Sequence, residues 1–470
     1  MVKIGKRFGR PPHGRRTLVA ALAVCGLSVA IGTAGASSAL SAAKPIKIGI
    51  LSDCQGAFGA FYNVDIGGAQ AYLIAHAGAK AKGANPTDGI TGGTLGGRPI
   101  KIVGYGCSND NGDRALSEAR RLVEQNGADI LIGPLSGDEV IAVANYSKTQ
   151  PGKTFLNGTS GAQDTTLKVR SPNFFRFNSD GAQWNAGVGD FAYRHLGWRH
   201  AVVIADDYSF GWTSAAGFIA DFCAAGGTVT RIFPPLNTTD YSSYVAKVPQ
   251  KFDGLFSAVG GSGLIAFIKQ YNQVRGKFPK NKFAGNIFVP DPLVLKAIGS
   301  QVIGALVGGP TNEDTKSPNA AAYIAALGKA YLNMTGGSLA KTAPSVFTVN
   351  YYNAMWALAK ALTAVKGSTS NGQAALHAAL AKTSLPDAPY GPITLDQNRN
   401  AITNNFISQV IAPTGSQTVP TVKTTYEVPN VNQTFGGTFS PTTPPPGRNA
   451  PVCQKRHLPW AGKEKRVSFN

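Results

Sequence analysis

From Ile46 onward, short β-branched runs alternate with longer stretches in which apolar side chains return every three or four positions. IKIGIL (46–51), IKIVGY (100–105), DILIG (129–133) and TFLNG (154–158) read as buried strands. Between them, 67–80, 113–126 and 140–150 read as helices, the second with Leu116, Ala119, Leu122 and Val123 on one face. The Gly-rich insert 88–97 reads as a turn or hairpin, because its glycines do not sit directly between a strand and a helix as a phosphate loop requires. Near residue 180 the pattern restarts, with a helix at 184–196, a strand at 200–206, a helix at 213–226 and strands at 228–233 and 254–259. Two tandem α/β units with parallel sheets are expected. Helices at 345–365 and 372–383 must pack on one of them. Beyond Ala412, Thr, Pro, Gly and Ser dominate, with TTPPPG at 442–447. An extended, weakly packed tail that binding does not need is expected, with Tyr426, Phe435 and Phe439 as the places where it could anchor.

The first 36 residues read as an address. Six basic residues (Lys3, Lys6, Arg7, Arg10, Arg15, Arg16) precede an apolar run from Leu18 to Ile31 and the small-residue site Ala34-Gly35-Ala36. This order predicts a secretory signal cleaved near Ala36 and an exported protein, in the periplasm or on the outer face of the cell membrane. The run is short for a membrane span, which needs about 20 apolar residues. Cys25 leaves a lipoprotein alternative, against which stand the bulk of Val24 and the apolar residues beyond it; Arg15-Arg16 would also suit a twin-arginine signal.

Composition narrows the function. The 470 residues are 43% hydrophobic and 15% charged, with 56 Gly and 29 Pro, which suits an α/β protein with many short turns. The formal net charge of +20, less the six basic residues of 1–36, is +14, and +5 of that lies in the last 23 residues. No stacking-aromatic or recognition-helix pattern accompanies the charge, so the clustering favours wall polymers, anionic lipid or solubility over nucleic acid. No G-x-S-x-G elbow occurs, none of the six His lies in a metal-ligand or triad-like motif, and Asp206-Asp207 has no evident partner. No catalysis, metal or cofactor is expected. Without Cys25, four cysteines remain, an even number that suits disulfides in an exported chain.

Five landmarks occur in a telling order: IKIGILSDCQGAFGAF, a GG turn before RPIKIV, RRLVEQNGADILIGPLSG, TFLNGTSGAQDTT and IADDYSFG. Over residues 45–412 this order resembles the leucine/isoleucine/valine-binding protein family of type I periplasmic solute-binding proteins. The resemblance implies two Rossmann-like α/β lobes joined by three crossovers, with residues 45–178 plus 311–393 as one lobe, 179–310 plus 394–412 as the other and 413–470 as tail. It further implies a monomer that captures a small polar or amphipathic molecule (an amino acid, amide or related acid) between the lobes and delivers it to the permease of an ABC transporter. A ligand-sensing receptor domain of the same fold is the alternative.

The resemblance also assigns a site. Ser136, Gly137 and Asp138 match the segment that receives a ligand carboxylate, and Thr159, Ser160 and Gly161 match a second; the competing reading makes Ser136, Asp138 and Ser160 helix caps. Phe61, Tyr62, Tyr208 and Phe210 fall at aromatic walls. Two departures stand out. Where amino-acid binders place a carboxylate against the ligand ammonium, this chain has Ile287, beside Asn286 and four residues before Asp291, which could substitute if the loop were shifted. Another family aromatic falls at Gly260-Gly261, leaving space or a flexible loop. In the expected strand order Cys54 and Cys107 lie past adjacent strands, so a bridge between them is natural; Cys223 and Cys453 could form a second.

Overall fold

The computed structural model describes residues 44–331 and 345–469. The predicted signal segment, with Cys25, lies outside them. The first sheet comprises β1 (Ile46–Asp53), β2 (Arg98–Ser108), β3 (Ile130–Ile132), β4 (Thr154–Leu156) and β5 (Phe174–Phe175), parallel and in the order β2-β1-β3-β4-β5, with the two-residue strand Thr94–Leu95 antiparallel to β2 at its edge. The second comprises β6 (His200–Ala205), β7 (Thr228–Ile232), β8 (Gly254–Ala258), β9 (Phe283–Gly285), β10 (Leu306–Gly309), β11 (Ala401–Ile411), β12 (Thr421–Val431) and β13 (Lys465–Arg466). Its order is β7-β6-β8-β9-β10-β11-β12-β13, parallel through β10 and antiparallel beyond.

Both sheets are covered by helices, as parallel strands require. On the first lie α1 (Tyr62–His76), α2 (Gly112–Arg120) and α3 (Gly137–Ser147). The second carries α4 (Val188–Arg194), α5 (Ser209–Ala225), α6 (Gly261–Arg275) and α7 (Pro292–Ile298). The chain then returns, and α8 (Pro318–Ala330), α9 (Val346–Ala364) and α10 (Ala374–Lys382) pack on the first lobe. Gln373, just before α10, ties this group down by donating to the Asp129 carbonyl (2.9 Å) and accepting from Thr154 Oγ1 (2.5 Å). The chain thus passes between the sheets after β5, after β10 and before β11.

Three expectations are corrected. The first helix begins at Tyr62, not 67, so Phe61 and Tyr62 belong to a helix entrance and not to an open loop; it stops at His76, two residues before Gly78 at φ +74°. The 184–196 helix shrinks to α4, because Gln183–Asn185 form a separate 3-10 turn. The tail is not weakly packed. β12 pairs along β11, and Phe435, Phe439, Leu458 and Trp460 are buried in one cluster with Val188, Phe218 and Phe222 of the second lobe.

Cys54 and Cys107 are bonded, with Cα atoms 5.2 Å apart, because the parallel register sets Ser52 against Cys107 and Asp53 against Ser108. Cys223 of α5 is bonded to Cys453.

Candidate ligand-binding cleft

The carboxyl ends of β1, β3, β4 and β6 deliver their loops to one seam between the lobes, where ligands bind in open parallel sheets. Ser136 precedes α3 and Ser160 follows β4; both are buried, and among the described residues neither hydroxyl has a partner. Ser136 makes no capping bond. Facing them from the second lobe are Ser209 Oγ, also buried and without a partner among the described residues, and the benzo edge of the buried Trp184 ring. Two glycines allow this convergence. A Cβ on Gly137 would lie 2.4 Å from Ser209 Oγ, and one on Gly161 would lie 2.5 Å from the Trp184 ring. The Asp138 carboxylate crosses the seam to accept the Ser209 N–H at 3.2 Å.

Beside these groups is a cluster of rings drawn from both lobes. Phe58 stacks on Phe288 (centroids 5.3 Å apart) and meets Phe210 and Tyr208 at 6.4 Å. Phe61 contacts Phe288 at 5.6 Å and Phe347 at 3.9 Å, and Trp184 lies 6.1 Å from Phe210. The aromatic absent at Gly260-Gly261 is thus supplied from the opposite lobe. A Cβ on Gly260 would meet Phe58 at 2.7 Å and Phe288 at 2.8 Å. Gly261, at φ +51°, lets the Ala57 carbonyl within 2.1 Å of where a Cβ would be, an approach open only to glycine. No open space or loose loop remains there.

Acidic groups close the seam, and among the described residues Asp206, Asp110, Asp53 and Glu139 form no ion pair. Asp206 accepts the Gly260 N–H (2.9 Å), and burial pushes it up to about 8 despite that bond. Across from it, Asp110 accepts the Ala57 N–H (2.6 Å) and is likewise raised to about 8, by burial and by Asp53. The Ser108 hydroxyl lies 3.0 Å from both Asp53 Oδ1 and Glu139 Oε2, with one proton between them, and burial raises both carboxyls. Tyr208 is pushed well up by its burial and by Asp206 and Asp110. Asp207, the other half of the acidic pair, does have partners: Trp212 Nε1 donates to it at 2.9 Å and Arg448 binds both its oxygens.

Of the residues singled out from sequence, Phe61, Ser136, Gly137, Asp138, Ser160, Gly161, Tyr208, Phe210 and Gly261 meet at this seam. Tyr62 does not: half-buried beside α2, it is raised to about 12 by burial and by Glu118. Thr159 turns its hydroxyl into the first lobe, donating to Asp65 Oδ1 at 3.2 Å. Asn286 is buried, with Oδ1 taking the Phe288 N–H (3.0 Å) and Nδ2 unpartnered. Asp291 does not replace the missing charge. It caps α7 at Leu293 N (2.9 Å) and accepts from Ser345 Oγ (2.9 Å), and with Ile287 it lines a separate cavity bounded by Asn312, Val346 and Val422. Sequence reasoning missed Phe58, Trp184, Ser209 and Phe288. Phe58 carried the same signal as Phe61, an aromatic in a Gly-flanked loop; Trp184 was hidden in an apparent helix.

Two α/β lobes whose strand exits converge on one seam of unpartnered donors and rings define a cleft-type ligand binder. The periplasmic binding protein family model matches residues 45–415, and the chain belongs to that family of solute-binding proteins. Similar solved structures include an ABC transporter solute-binding protein from R. palustris in complex with benzoate. It is 23% identical, with 78% of this chain and 93% of that chain covered and a TM-score of 0.65. A leucine-binding protein from Thermotoga maritima is 19% identical, with 82% and 99% covered and a TM-score of 0.66. An ABC transporter substrate-binding protein from Sphaerobacter thermophilus is 22% identical, with 83% and 99% covered and a TM-score of 0.68. No curated protein sequence matches the chain. Among the described residues, no helix is long and apolar enough to cross a membrane, and no cluster of side chains could hold a metal ion.

Any side chain at Gly161 must displace Trp184 from the seam. Gly161→Trp is therefore expected to abolish binding of any ligand that stabilises the wild type, with the far-ultraviolet circular dichroism unchanged; calorimetry at equal affinity would place the ligand elsewhere.

Proposed function

We propose that this protein captures a small carboxylic acid with a flat apolar body, an aromatic acid in preference to an α-amino acid, and delivers it to the permease of an ABC transporter. The observation that carries this reading is the set of three buried hydroxyls without a partner among the described residues, Ser136 Oγ, Ser160 Oγ and Ser209 Oγ, set against a ring cluster. Hydroxyls donate to a carboxylate, and each is costly to bury unpaired, at about 1 to 3 kcal/mol. The rings supply apolar area for a planar body. At Ile287 no carboxylate awaits an ammonium, and Asp291 is occupied as a cap. Benzoate and hydroxybenzoates occupy several of the similar proteins, which favours the same class here.

In this reading the lobes, 45–178 with 311–393 and 179–310 with 394–412, the second completed by β12 and the packed tail, rotate about their crossovers and close on the ligand as a monomer. Residues 1–36 serve as a cleaved export signal.

Thermal shift with a matched panel tests the ligand class. Benzoate and 4-hydroxybenzoate at about 100 times their dissociation constants should add ~2.7 kcal/mol to native stability. Benzamide and benzyl alcohol should add little, since neither presents a carboxylate. Stabilisation by leucine or isoleucine with none by the benzoates would reject the aromatic-acid reading.

A further inference from the structure

After Val431 the chain leaves the second sheet and visits both lobes in turn. Gln433 lies against the segment that hangs from the first sheet between β4 and β5: Gln163 Nε2 donates to its carbonyl (2.9 Å) and Thr166 Oγ1 to its Oε1 (3.1 Å). Lys168 Nζ then donates to the carbonyls of Ser440 (2.8 Å), Pro441 (3.1 Å) and Thr443. Next the chain reaches the second lobe. Arg448 Nε donates to Asp207 Oδ1 (2.7 Å) and its Nη2 to Oδ2, and Arg231 donates to the Arg448 carbonyl (3.2 Å) and to that of Pro451. Cys453 is bonded to Cys223, and Trp460 Nε1 donates to Asp221 Oδ1 at 2.9 Å.

The attachment points are not scattered. Gln163 to Lys168 follow directly on Ser160-Gly161, and Asp207 sits between Asp206 and Tyr208, so the segment grips both cleft loops from outside. It also lies beyond residues 45–415, the part of the chain that the family model matches. Three crossovers already join the lobes; this is a fourth connection, held by the Lys168 bonds to main-chain carbonyls on one side and by the Arg448–Asp207 pair on the other. A lobe that swings away must give up the three carbonyls that Lys168 holds together, and the disulfide keeps the segment from peeling off the second lobe. Leu167, packed in the second lobe's core cluster, puts apolar contact across the same seam.

We propose that residues 433–453 form a strap that biases the lobes toward the closed arrangement, with Lys168 and Arg448 as its attachments on either side. The strap rests on the hinge motion proposed above but not on the identity of the ligand. Opening the cleft requires the Lys168 bonds to break, so ligand leaves a strapped protein more slowly than one whose strap is cut.

Small-angle scattering of the ligand-free full chain tests this. Lys168→Ala and Arg448→Ala should each raise the radius of gyration while leaving the circular dichroism spectrum unchanged, the lysine variant more. Gly137→Trp, which drives an indole between Gly137 and Ser209, serves as a wedge that opens the seam directly. Wild-type dimensions in both strap variants beside an expanded wedge variant would overturn the strap and leave the hinge standing. Wild-type dimensions in all three would overturn both. Should Lys168→Ala fail to fold, Arg448→Ala, at an exposed guanidinium (66% accessible), decides the matter by the same measurement.

Discussion

A chain ending at Ala412 is expected not to fold to a stable second lobe. The truncation strips β12 from β11 and leaves an eleven-residue strand as a bare edge, with unpaired backbone groups open to other chains. It also removes Val422, Val428, Val431, Phe435, Phe439, Leu458 and Trp460, all buried. At about 1.5 to 3 kcal/mol for each large apolar side chain, the lost burial rivals or exceeds the ~5 to 15 kcal/mol by which a whole domain is stable. Asp221 would lose the Trp460 N–H, and Cys223 its partner. Loss of the cooperative thermal transition, or recovery only as aggregate, is the expected outcome. Trp460→Ala in the full chain is the milder form, costing about 3 to 5 kcal/mol. A truncated protein that melts within a few degrees of the full chain would show that the tail only decorates the lobe.

The sequence pattern made the sheets legible and hid the tail, for one physical reason. Strands buried on both faces show as apolar runs whatever surrounds them, so β1, β3 and β6 stand out; β9 (FAG) and β10 (LVGG), short and ending in glycine, do not. β12 carries Val422, Thr424 and Val428 on its buried side, but its threonines and proline match the composition of a loop, and only pairing with β11 decides between the two. In the cleft, strand exits could be located because glycines and hydroxyls cluster there. Which aromatic turns inward depends on helix phase: moving the start of α1 to Tyr62 swings that ring toward α2 and leaves Phe58 and Phe61 at the seam. Trp184 and Ser209 face the site only because Gly161 and Gly137 admit them, a relation between distant segments that no local pattern encodes.

Stability is expected to fall as pH rises from about 4 to about 8. Asp110 and Asp206 meet the lobe interface from opposite sides, and neither forms an ion pair with a lysine or arginine among the described residues. The charged groups around them are acidic or phenolic: Asp53 beside Asp110, and Tyr208 and Tyr241 beside Asp206. Each is held at about 8, against about 4 in an unfolded chain. Between those values the folded state keeps protons that the unfolded state has released, so each pH unit costs up to ~1.4 kcal/mol per group, and the loss levels off above the folded value. Asp221, also raised to about 8 by burial, adds to the same slope. Carboxyls held low, such as Asp253 beneath the Arg199 and His200 N–H groups, act oppositely and lose their contribution only as pH falls below about 4. The competing trend is the net charge of +20, whose self-repulsion weakens as pH rises. A melting temperature higher at pH 5 than at pH 8.5 would therefore come from the buried carboxyls, against that trend. Asp110→Asn and Asp206→Asn keep an acceptor for the Ala57 and Gly260 N–H groups and should flatten the slope without lowering stability at pH 8.5. A melting temperature that holds level or rises from pH 5 to pH 8.5 in the wild type, or a slope untouched by both substitutions, would show that these carboxyls do not carry the proton into the closed cleft.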